Sequence, residues 1–419
     1  MQSIIKYFVK EKKKDDEEVN EKDLSQDPAE KEFKSFPETY RIITFALSFG
    51  LMYPNPATRW FRFIGISVML GTAIPLAVFI LIDIYKCWLR KDIFEIIRHS
   101  TIVGPFLGGF LKQYFMVIFQ DPANAIINEI NRDYELYNRL EEDYKTIVRA
   151  HVNNCLVNSE KWWTVTVLTC VMIFPIMAAT FTLYSFLFSD MPQKYMVHEL
   201  NKPWDKDPEA RFESPYYEIA NFYMLYACCF YMLNFLGYDG FYGLAINHAV
   251  LKMQMYCKAL QDAMQYEGKK VYERVVGVIY EQNRTFRYMD EIQNCFNLWL
   301  GIIFLATMIQ LCNLLYHISA GNTLDVRYFI FIAGVTVHIY LPCHYSAKVK
   351  FASAAVSTSF YTCGWESARD QRIRMLLQLM IQRAQEPRAI TAMGMMTFDM
   401  ELFVQILQTS YSMYTLLSS

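Results

Sequence analysis

From Trp162 to Phe188 the chain runs for twenty-seven residues without an Asp, Glu, Lys or Arg. A helix of that length outreaches the roughly 30 Å hydrocarbon core of a bilayer. Six further segments have the same character. Phe63–Ile82 is uncharged, Ser100–Gln120 is apolar apart from Lys112, and Ile219–Tyr238 is clean, with Asp239 directly after it. Ile292–Ala320 carries His317, Tyr328–Ala347 carries His338 and His344, and Leu402–Ser419 is uncharged. The pattern predicts an all-α, polytopic membrane protein with seven transmembrane helices. Composition agrees: 53% of residues are hydrophobic and 20% charged, against about 25% charged in ordinary globular domains. Phe45–Tyr53 is apolar but too short to span, and reads as an interfacial or re-entrant lead-in to the first helix.

Charge asymmetry orients the helices, because Lys and Arg accumulate on the cytoplasmic side. Of the forty Lys and Arg, thirty fall before span one or in loops two, four and six. Nine fall in loops one, three and five, and Lys112 lies inside span two. Without the first 62 residues the ratio is nineteen to nine, with the same sign. The expected topology has a cytoplasmic N-terminus and an extracellular C-terminus, the reverse of a G-protein-coupled receptor.

Most of the ten cysteines lie in spans or on the expected inner side; Cys87 stands alone outside, and loop 189–218 has none. No outer disulfide framework is expected. The sequon Asn283-Arg284-Thr285 falls inside and should be unused. Residues 1–41 lack the apolar core of a signal peptide; dense in Lys, Asp and Glu, they read as a disordered cytoplasmic tail.

Helical periodicity continues past several spans, so an intracellular helical bundle is expected beyond the bilayer. It runs from span four through Gly243–Met264, resumes at Val271–Glu291, and follows span six through Lys348–Arg383. Glu386-Pro387 breaks the last stretch, and Gly394 sits in the connection to span seven. The expected division is as follows. Residues 1–41 form the tail, and 42–243 form spans one to four with a cytoplasmic helical loop at 121–161. Residues 244–291 form an intracellular extension, 292–347 spans five and six, 348–397 intracellular anchor helices, and 398–419 span seven. No internal repeat supports a transporter built from duplicated halves.

The chain contains no HExxH, GxSxG, Walker loop or dinucleotide fingerprint. No enzyme activity, cofactor, metal site or nucleic-acid partner is expected. His338 and His344, six residues apart, do not share a helical face and read as hydrogen-bonded or cavity-lining. Lys112 is an intramembrane charge, functional by default or snorkelling toward the inner interface. Asn131-Arg132-Asp133-Tyr134 lies in a charged loop and reads as no receptor motif.

The last segment carries one polar stripe: Gln405, Gln408, Ser412, Thr415 and Ser419. At about 100° per residue these fall within roughly an 80° arc. Such a face either lines water or hydrogen-bonds between helices.

The same region resembles a known family. Arg383-Ala384-Gln385-Glu386-Pro387, Ala392, Phe398, Glu401-Leu402-Phe403, Ile406-Leu407 and Ser410-Tyr411-Ser412-Met413-Tyr414-Thr415-Leu416-Leu417 are similar to the terminal signature of insect odorant receptors. Trp365 after Phe360-Tyr361 fits the tryptophan before it, and Leu111-Lys112 matches a frequent pair in span two. The architecture resembles the family throughout; the motifs cover about the last sixty residues. The resemblance implies a subunit of an odorant-gated, non-selective cation channel. Family members form tetramers around one pore, to which each subunit contributes span seven, and most pair with a shared odorant co-receptor. The co-receptor carries a large insertion between spans four and five, whereas this chain has a short linker near Gly268. It therefore resembles the tuning subunit of a heterotetramer in the plasma membrane of olfactory sensory neurons, with membrane lipid around it. The sister gustatory family usually ends in Thr-Tyr, apolar residues and Gln; here Thr409-Ser410-Tyr411 leads to Ser412–Leu417 without Gln.

On this resemblance the polar stripe would face the ion path, Leu416 would match the family's apolar gate, and Asp399 and Glu401 would favour cations at its inner end. A small volatile molecule would bind in the outer half of spans two, three, four and six. The matching positions are Phe106, Phe110, Met172, Ala179, Tyr223, Tyr226, Phe331, Val335 and Thr336, with hydroxyls available from Tyr223, Tyr226 and Thr336. The alternatives are a gustatory-type channel subunit and a seven-transmembrane metabotropic chemoreceptor.

Overall fold

The computed structural model describes residues 31–205, 207–320 and 326–418. Residues 1–30 of the expected tail, most of loop five and Ser419 of the polar stripe lie outside the described residues. Uncharged segments become helices because a helix satisfies its own backbone groups where water is absent. After a single turn at Phe36–Thr39, the α-helices in chain order are α1 (Arg41–Phe49), α2 (Arg59–Arg90), α3 (Ile93–Ile118), α4 (Gln120–Tyr137), α5 (Glu142–Asn154), α6 (Trp163–Phe188), α7 (Tyr216–Ala263), α8 (Lys269–Ala320), α9 (Val326–Tyr361), α10 (Gln371–Ala384) and α11 (Met400–Ser418). A π-helical segment, Cys155–Trp162, joins α5 to α6. The only strands among the described residues are a two-residue antiparallel pair, Thr391–Ala392 with Met396–Thr397, turned by Gly394 at φ +68°.

Among the described residues, six helices are long and apolar enough to cross a membrane: α2, α3, the continuous α5–α6, α7, α8 and α9. Helix α11 is not one of them. It has nineteen residues and a single charge, but its Gln, Ser and Thr stripe lowers the mean hydropathy. Helices α7 and α8 have 48 and 52 residues. At 1.5 Å per residue each is roughly 70–80 Å long, far more than a bilayer core needs. The expected continuation of span six through Arg383 is interrupted. Helix α9 stops at Tyr361, Gly364 turns at φ +83°, and α10 restarts on Asp370, whose carboxylate accepts from the Arg372 amide at 2.8 Å. Helix α10 ends at Ala384, before Pro387.

The structure corrects the amino-terminal reading. Phe33, Phe36 and Tyr40, assigned to a disordered tail, are buried in the main core. The Phe33 and Phe36 amides donate to the side chains of Asn138, just past α4, and Asn131 of α4 at 2.8 and 2.6 Å, and the Tyr40 and Tyr134 hydroxyls pair at 2.7 Å. The lead-in at 45–53 is partly helical and packed on the bundle. Helix α1 buries Ile43, Ala46 and Leu47. A Cβ at Gly237 of α7 would stand 3.1 Å from the Leu47 amide nitrogen and 3.2 Å from the Ala46 carbonyl carbon, so a side chain there would push the two backbones apart by a few tenths of an ångström.

Charge cements the loop-two helices. Asp133, in the four-residue stretch read as an ordinary charged loop, is fully buried. Its carboxylate meets Lys252 at 2.7 Å and His248 at 2.9 Å from α7, and also Arg284 from α8. Glu129, one turn earlier, adds contacts to Lys252 at 3.0 Å and Arg284 at 2.6 Å. Burial alone raises a carboxyl pKa, but Lys252, His248 and Arg284 overcome it and hold Asp133 well below the ordinary range.

Candidate functional site

Where α3, α6, α7, α8 and α9 converge with the middle of α2, they enclose a cavity of about 250 Å³. Its wall is almost wholly apolar and aromatic. Phe106, Leu107 and Leu111 come from α3; Trp163, Val167, Cys170, Val171 and Phe174 from α6; Met224, Ala227, Tyr231 and Phe235 from α7; Trp299, Ile302, Ile303 and Ala306 from α8; and Tyr328, Phe331 and Val335 from α9. Pro105, Gly104 and Gly108 keep the α3 wall thin.

Of the nine expected ligand positions, Phe106, Phe331 and Val335 line this cavity. The other six do not. Phe110 is buried one turn away against Phe230, with ring centroids 4.6 Å apart. Met172 is one position past the lining Val171, and Ala179 is exposed. Tyr223 packs outside the cavity with Leu76 and Met224, and Tyr226 is exposed, its hydroxyl 3.1 Å from that of Thr72. The Thr336 hydroxyl donates to the Ile332 carbonyl at 2.8 Å. Met172, Tyr223 and Thr336 each sit one residue from a wall position, a rotation of about 100° on the helix. In helices apolar all round, no periodicity marks which side faces the cavity.

The polar groups at the wall are different ones. The Gln310 amide nitrogen and the Tyr231 hydroxyl are buried without a hydrogen-bond partner. Thr101, Thr166, Thr307, His198 and His338 also line the cavity. No sequence signal distinguishes Tyr231 or Gln310 from neighbouring packing residues.

His338 belongs to a charged floor. Lys112 is fully buried rather than snorkelling. Its ammonium donates to Asp239 Oδ2 at 2.5 Å, and His338 Nε2 lies 3.0 Å from the same oxygen. The ammonium also sits 3.5 Å from the Phe235 ring centroid and 4.8 Å from that of Trp299. Three helices, α3, α7 and α9, thus meet on one ionic contact at the cavity's edge. Asp239, which closes span four in the sequence, could have been matched to Lys112 from the cost of an unpaired intramembrane charge.

Helix α11 packs on its own chain through Leu402, Ile406 and Ser410. Gln405, Gln408, Ser412, Thr415 and Leu416 are exposed, Leu416 to 77%. By helical geometry the polar stripe is centred about 140° from the buried face. Asp399 differs from expectation. It caps α11 by accepting from the Glu401 and Leu402 amides at 3.1 and 3.2 Å, and it pairs with Lys350 at 2.8 Å. Its charge is committed, whereas Glu401 remains exposed.

Fold and cavity define a multi-pass, all-α membrane protein with an apolar cavity between its helices. The family profile of the 7tm odorant receptors matches residues 92–411, and the chain belongs to the insect odorant receptor family, a family of receptors rather than enzymes. It is similar to odorant receptor 85c of Drosophila melanogaster, 22% identical over 76% of this chain and 80% of that one. Odorant receptor 85b of the same fly is 22% identical over 80% and 85%. The fold is that of the insect olfactory receptor OR5 from Machilis hrabei in complex with eugenol. That likeness has a TM-score of 0.72 at 15% identity, covering 91% of this chain and 99% of that one.

Proposed function

We propose that this receptor is the tuning subunit of an odorant-gated, non-selective cation channel. It binds a small volatile molecule in the cavity between α3, α6, α7, α8 and α9. The observation that carries this reading is the cavity itself: about 250 Å³ with an aromatic wall and two unpartnered polar atoms, from Tyr231 and Gln310. Such a chamber suits a compact, mostly apolar molecule with one or two hydrogen-bonding groups. Eugenol, held by the structurally similar OR5, has that chemistry.

In this reading α11 is the seventh span and lines the pore. A polar stripe opposite the helix's own packing face would be costly against lipid, and is satisfied when copies of α11 surround water. Leu416 closes the path by dewetting. The partners are odorant co-receptor subunits in a heterotetramer, in the plasma membrane of olfactory sensory neurons. The short turn between α7 and α8, Met264–Gly268, suits the tuning subunit.

The test is whole-cell recording under a volatile panel, with and without an insect odorant co-receptor. Odorant-evoked cation current only on co-expression is the expected result. Silence in both conditions, with surface staining confirmed, would overturn the channel reading.

A further inference from the structure

At the end of the bundle where α2 finishes and α3 begins, Asp83, Cys87 and His99 are buried together, with one possible ligand atom from each within 4.8 Å of the others. His99 Nε2 lies 3.3 Å from Asp83 Oδ2, an ion-pair contact longer than an ordinary hydrogen bond. A buried ring nitrogen thus faces a carboxylate across a long contact, with a thiol beside them. In four-coordinate zinc, with bonds of about 2.0–2.1 Å to nitrogen and oxygen, the edge between two such ligands is roughly 3.3 Å. The nitrogen–oxygen separation already matches that edge.

The surroundings match what orients metal ligands elsewhere. His99 Nδ1 is 3.0 Å from His198 Nε2, which leaves Nε2 of His99 for the metal. Asp83 is gripped by Asn201 through its backbone amide at 3.2 Å and its side-chain amide at 3.0 and 3.1 Å. The Arg90 guanidinium donates to Cys87 Sγ at 3.4 Å. A carboxylate and a thiolate together neutralise a divalent cation.

We infer that Asp83, Cys87 and His99 form a site for a zinc-like divalent cation, with a fourth position left for water. Nitrogen, sulfur and oxygen donors in one set select zinc over calcium or magnesium. Binding releases the Cys87 thiol proton. His198 also lines the apolar cavity, so the site shares a wall with it.

The test is Zn²⁺ titration of purified, tag-free receptor against a chromogenic chelator, followed by Cd²⁺ substitution to read a thiolate charge-transfer band. One cation per chain is expected. Cys87→Ser should abolish the band and weaken binding at least about 100-fold, and His198→Asn should weaken it about 10–100-fold while the band persists. Binding without a thiolate band, or no binding, overturns the site. The His198→Asn comparison and the wild-type band decide the matter even where Cys87→Ser fails to fold. Neither measurement involves odorant or current, so failure here leaves the channel reading untouched.

Discussion

The ammonium of Lys112 on α3 lies 2.5 Å from the carboxylate of Asp239 on α7, and Lys112 is fully buried among helices. Removing one member of a buried pair leaves the other charge uncompensated, at a cost of about 3–5 kcal/mol. Lys112→Met and Asp239→Leu should each sharply lower the thermal unfolding temperature of the purified receptor. The double variant should recover most of the loss, because neither charge remains. Simple addition of the two losses would show that the residues are not coupled.

The cavity's two unpartnered polar atoms separate odorant classes. Tyr231→Phe and Gln310→Leu keep the shape and delete the hydrogen-bonding groups. Each should reduce sensitivity to hydroxyl- or carbonyl-bearing odorants about tenfold, the equivalent of one net hydrogen bond. Responses to pure hydrocarbons should be unchanged. Dose–response curves that shift equally for both classes would remove these groups from recognition.

Accessibility along α11 distinguishes pore from packing. Gln408→Cys and Ser412→Cys, both on the exposed stripe, should react with water-soluble thiol reagents in the odorant-activated channel, and current should fall. Ile406→Cys, on the buried face, should not react. Leu416→Ser should raise current without odorant, because a polar ring stays wet. Equal modification of all three cysteines would contradict a pore along this face.

Helix α1 depends on an absent methyl. Gly237→Ala would press a Cβ onto the backbone of Ala46 and Leu47, and overpacking of this kind costs about 1–3 kcal/mol. The expected result is a lower unfolding temperature and less receptor at the cell surface, while Gly71→Ala, which meets nothing within 4 Å, leaves both unchanged.

The Asp133 cluster has a defined pH signature. Burial opposes its charge, but Lys252, His248 and Arg284 hold its pKa below the ordinary value, which is about 3.9 in an unfolded chain. A depressed carboxyl contributes its full stability above roughly pH 4 and loses it as pH falls through the folded value. Asp133→Asn should therefore be less stable than wild type by a constant margin from pH 7 to 5. The margin should close only under stronger acid, as followed by thermal unfolding. A gap that already narrows between pH 7 and 6 would assign the effect to histidine instead.

Uncharged runs and flanking charges were enough to establish the helices and the membrane-protein class, because those properties depend on composition along one helix; the family resemblance came from the terminal signature between Arg383 and Leu417. Which side of an all-apolar helix faces a cavity depends on its rotation against four or five neighbours, so Phe106, Phe331 and Val335 were found while Tyr231, Trp299 and Gln310 were not. Partnerships across long separations were equally invisible: Lys112 with Asp239, and Asp133 with Lys252 and Arg284. A buried charge announces in the sequence that it needs a partner. Only the packed helices decide which of many distant residues comes within 3 Å of it.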